Sequence, residues 1–245
     1  MHQQKQEPNP VICKKGEEVR TKIIMAWSGG KDSANALNLL QQEESVQVVG
    51  LLTTVSTRYN RISMHGVRNL LLEAQARALG LKVYRIPVPE SMDNRAYEAA
   101  MAAVLEKLKK IGVEYVAYGD LHLEDIRAYR ETMMKPSGVK ALFPLWGQPT
   151  WNLAKNFINQ GFKASIVCLD SRVLSPAFLG QAYDNSFLRR LPKSVDPCGE
   201  NGEFHTFVHD GPNFRHPVHA VLGTSVVKSG FYYMDLLPLS TPQNS

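Results

Sequence analysis

An apolar run, Ile23-Ile24-Met25-Ala26-Trp27, gives way at residue 28 to Ser-Gly-Gly-Lys-Asp-Ser and then to an Ala/Leu-rich stretch with helical spacing. Strand, glycine turn and helix in direct succession restrict the fold more than any other feature of the chain, because together they form a phosphate cradle. Gly29 and Gly30 let the backbone approach an anion without a Cβ in the way. A helix opening near Ser33 points its unpaired N–H groups and its positive end at the same spot. Ser28, Lys31 and Ser33 add two hydroxyls and an ammonium. Asp32, the loop's one acid, suits a Mg²⁺ ion, the orientation of the loop's own N–H groups, or the N-cap of the following helix. The spacing is not that of a Walker A loop, whose first glycine stands further from its Gly-Lys-Ser/Thr end.

From residue 21 onward, short β-rich runs alternate with helical patterns. Strands are expected at 22–27, 46–54, 82–88, 115–118, 141–145 and 165–169, and helices near 33–42, 67–79, 95–111, 124–134 and 150–160. Several of the helices run into a glycine (Gly80, Gly112, Gly161), a common stop. Alternation of this kind builds βαβ units and a mostly parallel sheet, with ligands beyond the carboxyl ends of its strands. The expected rim is 27–33, 53–58, 87–90 and 119–124. After about residue 140 prolines and aromatics become frequent, which marks a change of unit. The expected division is a loose arm over 1–20, a first domain over 21–140, a smaller second domain over 141–222, and C-terminal strands with a tail over 223–245. Within the last segment, 221–237 reads as a hairpin around Lys228-Ser229-Gly230.

The 245 residues, 44% hydrophobic and 21% charged, are ample for a core. No apolar run reaches bilayer length and the N-terminus has no signal-like core, so a cytoplasmic protein without a membrane partner is expected. Cys13, Cys168 and Cys198 are far apart, with no Cys-x-x-Cys, which argues against a disulfide framework and a zinc knuckle. The net charge of +5 permits nucleic acid without pointing to it. The oligomeric state stays open, self-association included.

Three further clusters can carry chemistry. In Tyr118-Gly119-Asp120-Leu121-His122-Leu123-Glu124-Asp125, a strand end meets four ionisable groups. Asp120 is the first candidate ligand there, Glu124 and Asp125 also suit a helix's first turn, and Arg127 and Arg130 suit oxyanion forks. In Asp196-Pro-Cys-Gly-Glu-Asn-Gly-Glu-Phe-His-Thr206 a shaped loop enters an alternating strand. Glu200, Glu203 and His205 suit acid–base or metal roles, or plain hydrogen-bonded structure. Cys198 reads as a small turn residue more readily than as a nucleophile. Ser63-Met-His65-Gly66 would stand at the same rim, with Ser63 a candidate helix cap.

With these segments assembled, the chain resembles the diphthine–ammonia ligase family of the PP-loop (N-type ATP pyrophosphatase) superfamily, and within it the short prokaryotic type. The likeness covers about residues 22–215. It rests on Ser28–Ser33, Gly119-Asp120 and, most distinctively, Gly199-Glu-Asn-Gly-Glu-Phe-His-Thr206 followed by Asp210-Gly-Pro212. It implies a Rossmann-like (HUP) parallel-sheet ATP domain with a smaller α/β domain, and ATP with Mg²⁺ as cofactors. A small-molecule or protein-side-chain carboxylate would be adenylated with release of pyrophosphate, and ammonia would then displace AMP. By the same resemblance Ser28, Gly29, Gly30, Lys31, Asp32, Ser33, Thr53, Thr54, Gly119 and Asp120 would hold the nucleotide, with Asp32 on the metal. His65, Glu200, Asn201, Gly202 and Glu203 would face the acceptor, and Lys31, Asp32, Glu203 and His205 would be catalytic. Two other readings remain: a tRNA-modifying enzyme with a similar loop, and a nucleotide-binding module without turnover.

Overall fold

The computed structural model describes residues 20–59, 61–62, 66–89 and 92–239. Ser63, Met64 and His65 lie outside the described residues, as does the arm up to residue 19.

The first sheet contains β1 (Thr21–Ala26), β2 (Val46–Ser56), β3 (Arg61–Ile62), β4 (Val83–Val88), β5 (Val113–Ala117) and β6 (Lys140–Leu142). Its parallel strands run β4-β2-β1-β5-β6, and β3 adds antiparallel to the end of β2. The order reverses direction beside β1, so the crevice between the ends of β1 and β5 is the switch point where such sheets bind ligands. Alternation along β1 sends Ile23 and Met25 into one core and Ile24 into the other. Each such buried side chain contributes about 2 kcal/mol. The first face carries α1 (Lys31–Gln42) and α2 (Asn69–Leu79), and the second carries α3 (Asn94–Lys110) and the end of α4 (Glu124–Met134).

The chain then forms α5 (Thr150–Asn159), β7 (Lys163–Asp170), α6 (Asn185–Arg190), β8 (Phe204–Asp210), β9 (Ala220–Lys228) and β10 (Phe231–Pro238). Strands β7 to β10 make an antiparallel sheet in the order β8-β7-β10-β9, so the C-terminal hairpin belongs to the same sheet as β7 and β8. The whole is a mixed α/β fold with a Rossmann-like parallel sheet and a smaller second unit. One apolar core runs unbroken between them, from Ile23 and Leu37 to Phe157, Phe187 and Phe204. A second tie is ionic. Asp235 on β10 takes both Arg68 (2.6 Å) and Arg61 (2.8 Å), which holds its carboxyl down at about 2, chiefly through Arg68. No helix among the described residues is long and apolar enough to cross a membrane.

Candidate functional site

A cavity of about 920 Å³ opens at the switch point, between the rim of the first sheet and the face of the second. Ser28, Gly30, Lys31, Asp32, Ser33, Thr53, Thr54, Gly119 and Asp120 line it from the first unit. Glu200, Asn201, Gly202 and His205 line it from the second. Of the expected rim, the described residues 87–89 take no part, and Ile86 stands there instead.

The glycine loop is shaped by its own hydroxyls and clamped from behind. Ser28 Oγ accepts from Gly30 N–H (3.3 Å) and meets Ser33 Oγ (3.2 Å), which in turn donates to Gly30 O (2.9 Å). Gly30, not Asp32, is the N-cap of α1, and Asp32 stands in the first turn. Behind the loop lies Gln75 of α2, fully buried. Its Oε1 accepts from Trp27 Nε1–H (3.0 Å), and its Nε2 donates to Gly29 O (3.0 Å) and Val208 O (2.6 Å). Val208 N–H also donates to Gly29 O (2.9 Å). Gly29 has φ 80°, and a Cβ there would stand 2.8 Å from Gln75 Oε1, so both conformation and space require glycine. Thr206 Oγ1 accepts from Lys31 N–H (3.0 Å), tying the start of α1 to β8. Neither Gln75 nor Thr206 is singled out by the sequence reading. Their partners are remote in the chain, and the only signal was the Glu-Phe-His-Thr run that ends at Thr206.

Lys31 turns into the second unit. Its Nζ donates to Asp32 (2.8 Å to Oδ2) and to the Cys198 carbonyl, over the rings of Phe204 (5.5 Å) and Tyr183 (5.9 Å). Burial works against the ammonium, but Asp32, with Cys198 and Glu200 behind it, more than restores it, and the Lys31 pKa ends above its ordinary value. Burial lifts the Asp32 carboxyl above its usual range, with Lys31 pulling it back.

The other rim loop presses on the first. A Cβ at Gly119 would lie 2.9 Å from the carbonyl carbon of Asp32 and from Ser33 N, so this close approach of two backbones admits only glycine. Asp120 pairs loosely with Arg130 (3.4 Å), whose guanidinium lies 4.6 Å from the Tyr118 ring centroid. Thr53 at the end of β2 is 3% exposed, and its Oγ1 has no hydrogen-bond partner among the described residues. A buried hydroxyl without a partner costs about 1–3 kcal/mol, and this one lines a cavity large enough for a nucleotide.

Residues 196–203 close much of their hydrogen bonding within the loop. Glu203 is buried and absent from the cavity lining. It accepts from Asp196 N–H (3.0 Å), Asn201 N–H (2.9 Å) and Asn201 Nδ2 (3.0 Å). Asp196 accepts from Cys198 N–H (2.8 Å), and Tyr183 OH donates to Pro197 O (2.7 Å). Glu200 reaches across to accept from Leu121 N–H (2.8 Å) and His122 N–H (3.3 Å), while burial raises its pKa. His205 does line the cavity. Burial first, then the Lys31 charge, lowers its pKa to about 4, so its imidazole is neutral at pH 7. Cys168 and Cys198 also line the cavity, and burial pushes each thiol up to about 12, which leaves neither as a thiolate. Among the described residues, no group of three His, Cys, Asp or Glu side chains forms a metal cage.

Residues 21–141 match the family described as the diphthamide synthase N-terminal domain, and residues 149–234 match the diphthamide synthase C-terminal domain. The diphthine–ammonia ligases of Homo sapiens and Bos taurus are 25% and 24% identical over 217 residues, covering 79% of this chain and 80% of theirs. Among solved structures, a Methanocaldococcus jannaschii protein described as a predicted subunit of tRNA methyltransferase aligns over 90% of this chain and 99% of its own. It is 16% identical, with a TM-score of 0.41, too distant to bear on fold or function. The family matches reach both units, and the glycine loop and the 196–206 segment that shape the cavity lie inside them: the chain belongs to the diphthamide synthase family.

Proposed function

We propose that this protein is an ATP-dependent amide-forming ligase. It would adenylate a substrate carboxylate, release pyrophosphate, and let ammonia displace AMP to leave the amide. The observation that carries the reading is the unsatisfied Thr53 hydroxyl in a cavity whose other wall is a glycine loop at a helix N-terminus. The loop N–H groups with Ser28 and Ser33 suit the phosphates, and Thr53 with Thr54 suits the nucleoside end. Asp32 is the carboxylate best placed for Mg²⁺, and phosphate oxygens and water would supply the other ligands, as this ion prefers. Bound there, Mg²⁺ would offset charge on the departing pyrophosphate.

Lys31 adds a permanent positive charge beside the loop and, through the Cys198 carbonyl, ties that charge to the acceptor side. Neutral His205 accepts or donates hydrogen bonds to the acceptor without competing for ammonia's proton. Glu203 acts by shaping the loop that presents Asn201 and Gly202. The curated relatives' name points to a diphthine-like carboxylate as the acceptor. The tRNA sulfur-transfer reading is weaker, since both described cysteines are held as thiols.

Calorimetric titration with Mg²⁺–ATP tests the proposal. Saturable binding by the native protein is expected, weakened about tenfold in Thr53→Val, a loss of ~1.4 kcal/mol. Absence of binding by the native protein overturns the nucleotide reading. Binding without AMP and pyrophosphate release in the presence of diphthine-modified protein and ammonia removes the ligase step.

A further inference from the structure

Strand β9 stands at the open edge of the second sheet, and among the described residues its strand partner is β10 alone. Exposed strand edges are usually blunted by charges, prolines, bulges or a covering element, because their free N–H and C=O groups pair with any passing strand. Here the sequence is Ala-Val-Leu-Gly-Thr-Ser-Val-Val-Lys, and its one charge is the terminal Lys228. Val221, Leu222, Val226 and Val227 are 42% to 63% exposed. With Leu237 and Leu239 beside them, this hairpin holds six of the thirteen large apolar side chains exposed among the described residues. Apolar side chains scattered singly need no explanation, but a concentration on one edge does.

The pattern of the strand indicates what covers it. Two apolar pairs, Val221-Leu222 and Val226-Val227, flank a polar centre, Gly223-Thr224-Ser225. Around that centre the register with β10 shifts, so a bulge twists the middle while both apolar pairs stay in paired strand. A strand with this near-palindromic pattern is complementary to itself run antiparallel. Rotated by a two-fold axis through its centre, a second copy brings Val226-Val227 against Val221-Leu222 and the reverse, in an isologous contact. The two Lys228 ammonium groups then fall at opposite ends of the paired strands, so the contact brings no like charges together.

We propose that two copies of this chain pair through β9 to form a homodimer with a continuous eight-stranded second sheet. Pairing would also stiffen the hairpin whose far side, at Ser229, Phe231 and Tyr233, lines the cavity. The proposal is independent of the ligase reading.

Sedimentation velocity over a roughly hundredfold concentration range decides it, since a dimer dissociates by mass action. The expected species has twice the 27.4 kDa chain mass and gives way to monomer in Val226→Lys with an unchanged far-ultraviolet circular dichroism spectrum. A positive trap accompanies it. In a Cys13→Ser background, Thr224→Cys at the two-fold axis should oxidise to a covalent dimer, while Ile111→Cys, exposed elsewhere, should not. A native protein that stays monomeric throughout the range overturns the proposal, whether the edge is bare or takes a strand from another protein. A dimer that survives Val226→Lys without the Thr224→Cys cross-link overturns it equally.

Discussion

In the loop 28–33 the polar atoms border an open cavity, whereas in the loop 196–203 most of them face one another. Both segments carry two glycines, the first with one acid and the second with three, and both stand at the same mouth. The difference is how their hydrogen bonds are spent. The first is clamped from behind by Gln75 and Val208 and spends Lys31 N–H on Thr206, while Asp32 and Ser33 of the first turn of α1 line the cavity. The second uses Glu203 as an internal brace, accepting three N–H bonds. Damage to the first loop should therefore appear in ligand affinity, and damage to the second in stability.

Gly119→Ala is the strongest way to break the comparison. The new Cβ would stand 2.9 Å from the backbone of Asp32 and Ser33, which has no rotamer to yield with. Nucleotide affinity should fall at least ~100-fold, or about 3 kcal/mol, measured by calorimetric titration of a variant whose fold is checked by circular dichroism. Undiminished affinity would show that the first turn of α1 is not where the phosphates bind.

Glu203→Gln separates a brace from a catalyst. The amide replaces one carboxylate oxygen with a donor that faces N–H groups. A buried carboxylate with three donors should lose about 2 kcal/mol of stability by this change. The urea midpoint should drop while ATP binding stays within about twofold, under 0.5 kcal/mol. Unaltered stability with abolished turnover would sink the bracing role and give Glu203 to the chemistry.

That contrast marks what the sequence could and could not disclose. The strand, glycine turn and helix at 22–42 were legible because each element carries its own periodicity. For the same reason α4 falls on residues 124–134 as expected, and the hairpin at 220–238 is one residue longer at each end than its pattern suggests. Strand β3 and helix α6 were not legible, since two and six residues are too few to establish a period. Gln75 looks like one more polar helix residue, and only the fold brings Gly29 and Val208 to its amide. The type of residue at 203 was informative, but its direction was not. A carboxylate aimed at a ligand and one aimed at its own loop have the same letter, and the neighbours that decide lie within seven residues on a turn whose shape no periodicity encodes.

His205 offers the smallest effect and the finest discrimination, because it follows the second loop yet lines the cavity as Glu203 does not. Its pKa is lowered from 6.5 to about 4, chiefly by burial. The unfolded imidazole takes up its proton first as pH falls, so across this window the unfolded state binds more protons and stability declines toward acid. Between about pH 7.5 and pH 5 the contribution is ~1–2 kcal/mol, given 1.36 kcal/mol per unit and partial exposure of the ring. His209 moves in the same direction, so the native slope alone is not diagnostic. The difference between native and His205→Gln urea midpoints at the two pH values isolates the one group. A slope that survives the substitution unchanged would mean that His205 is solvated in solution, and the second unit would then present a proton acceptor to the cavity after all.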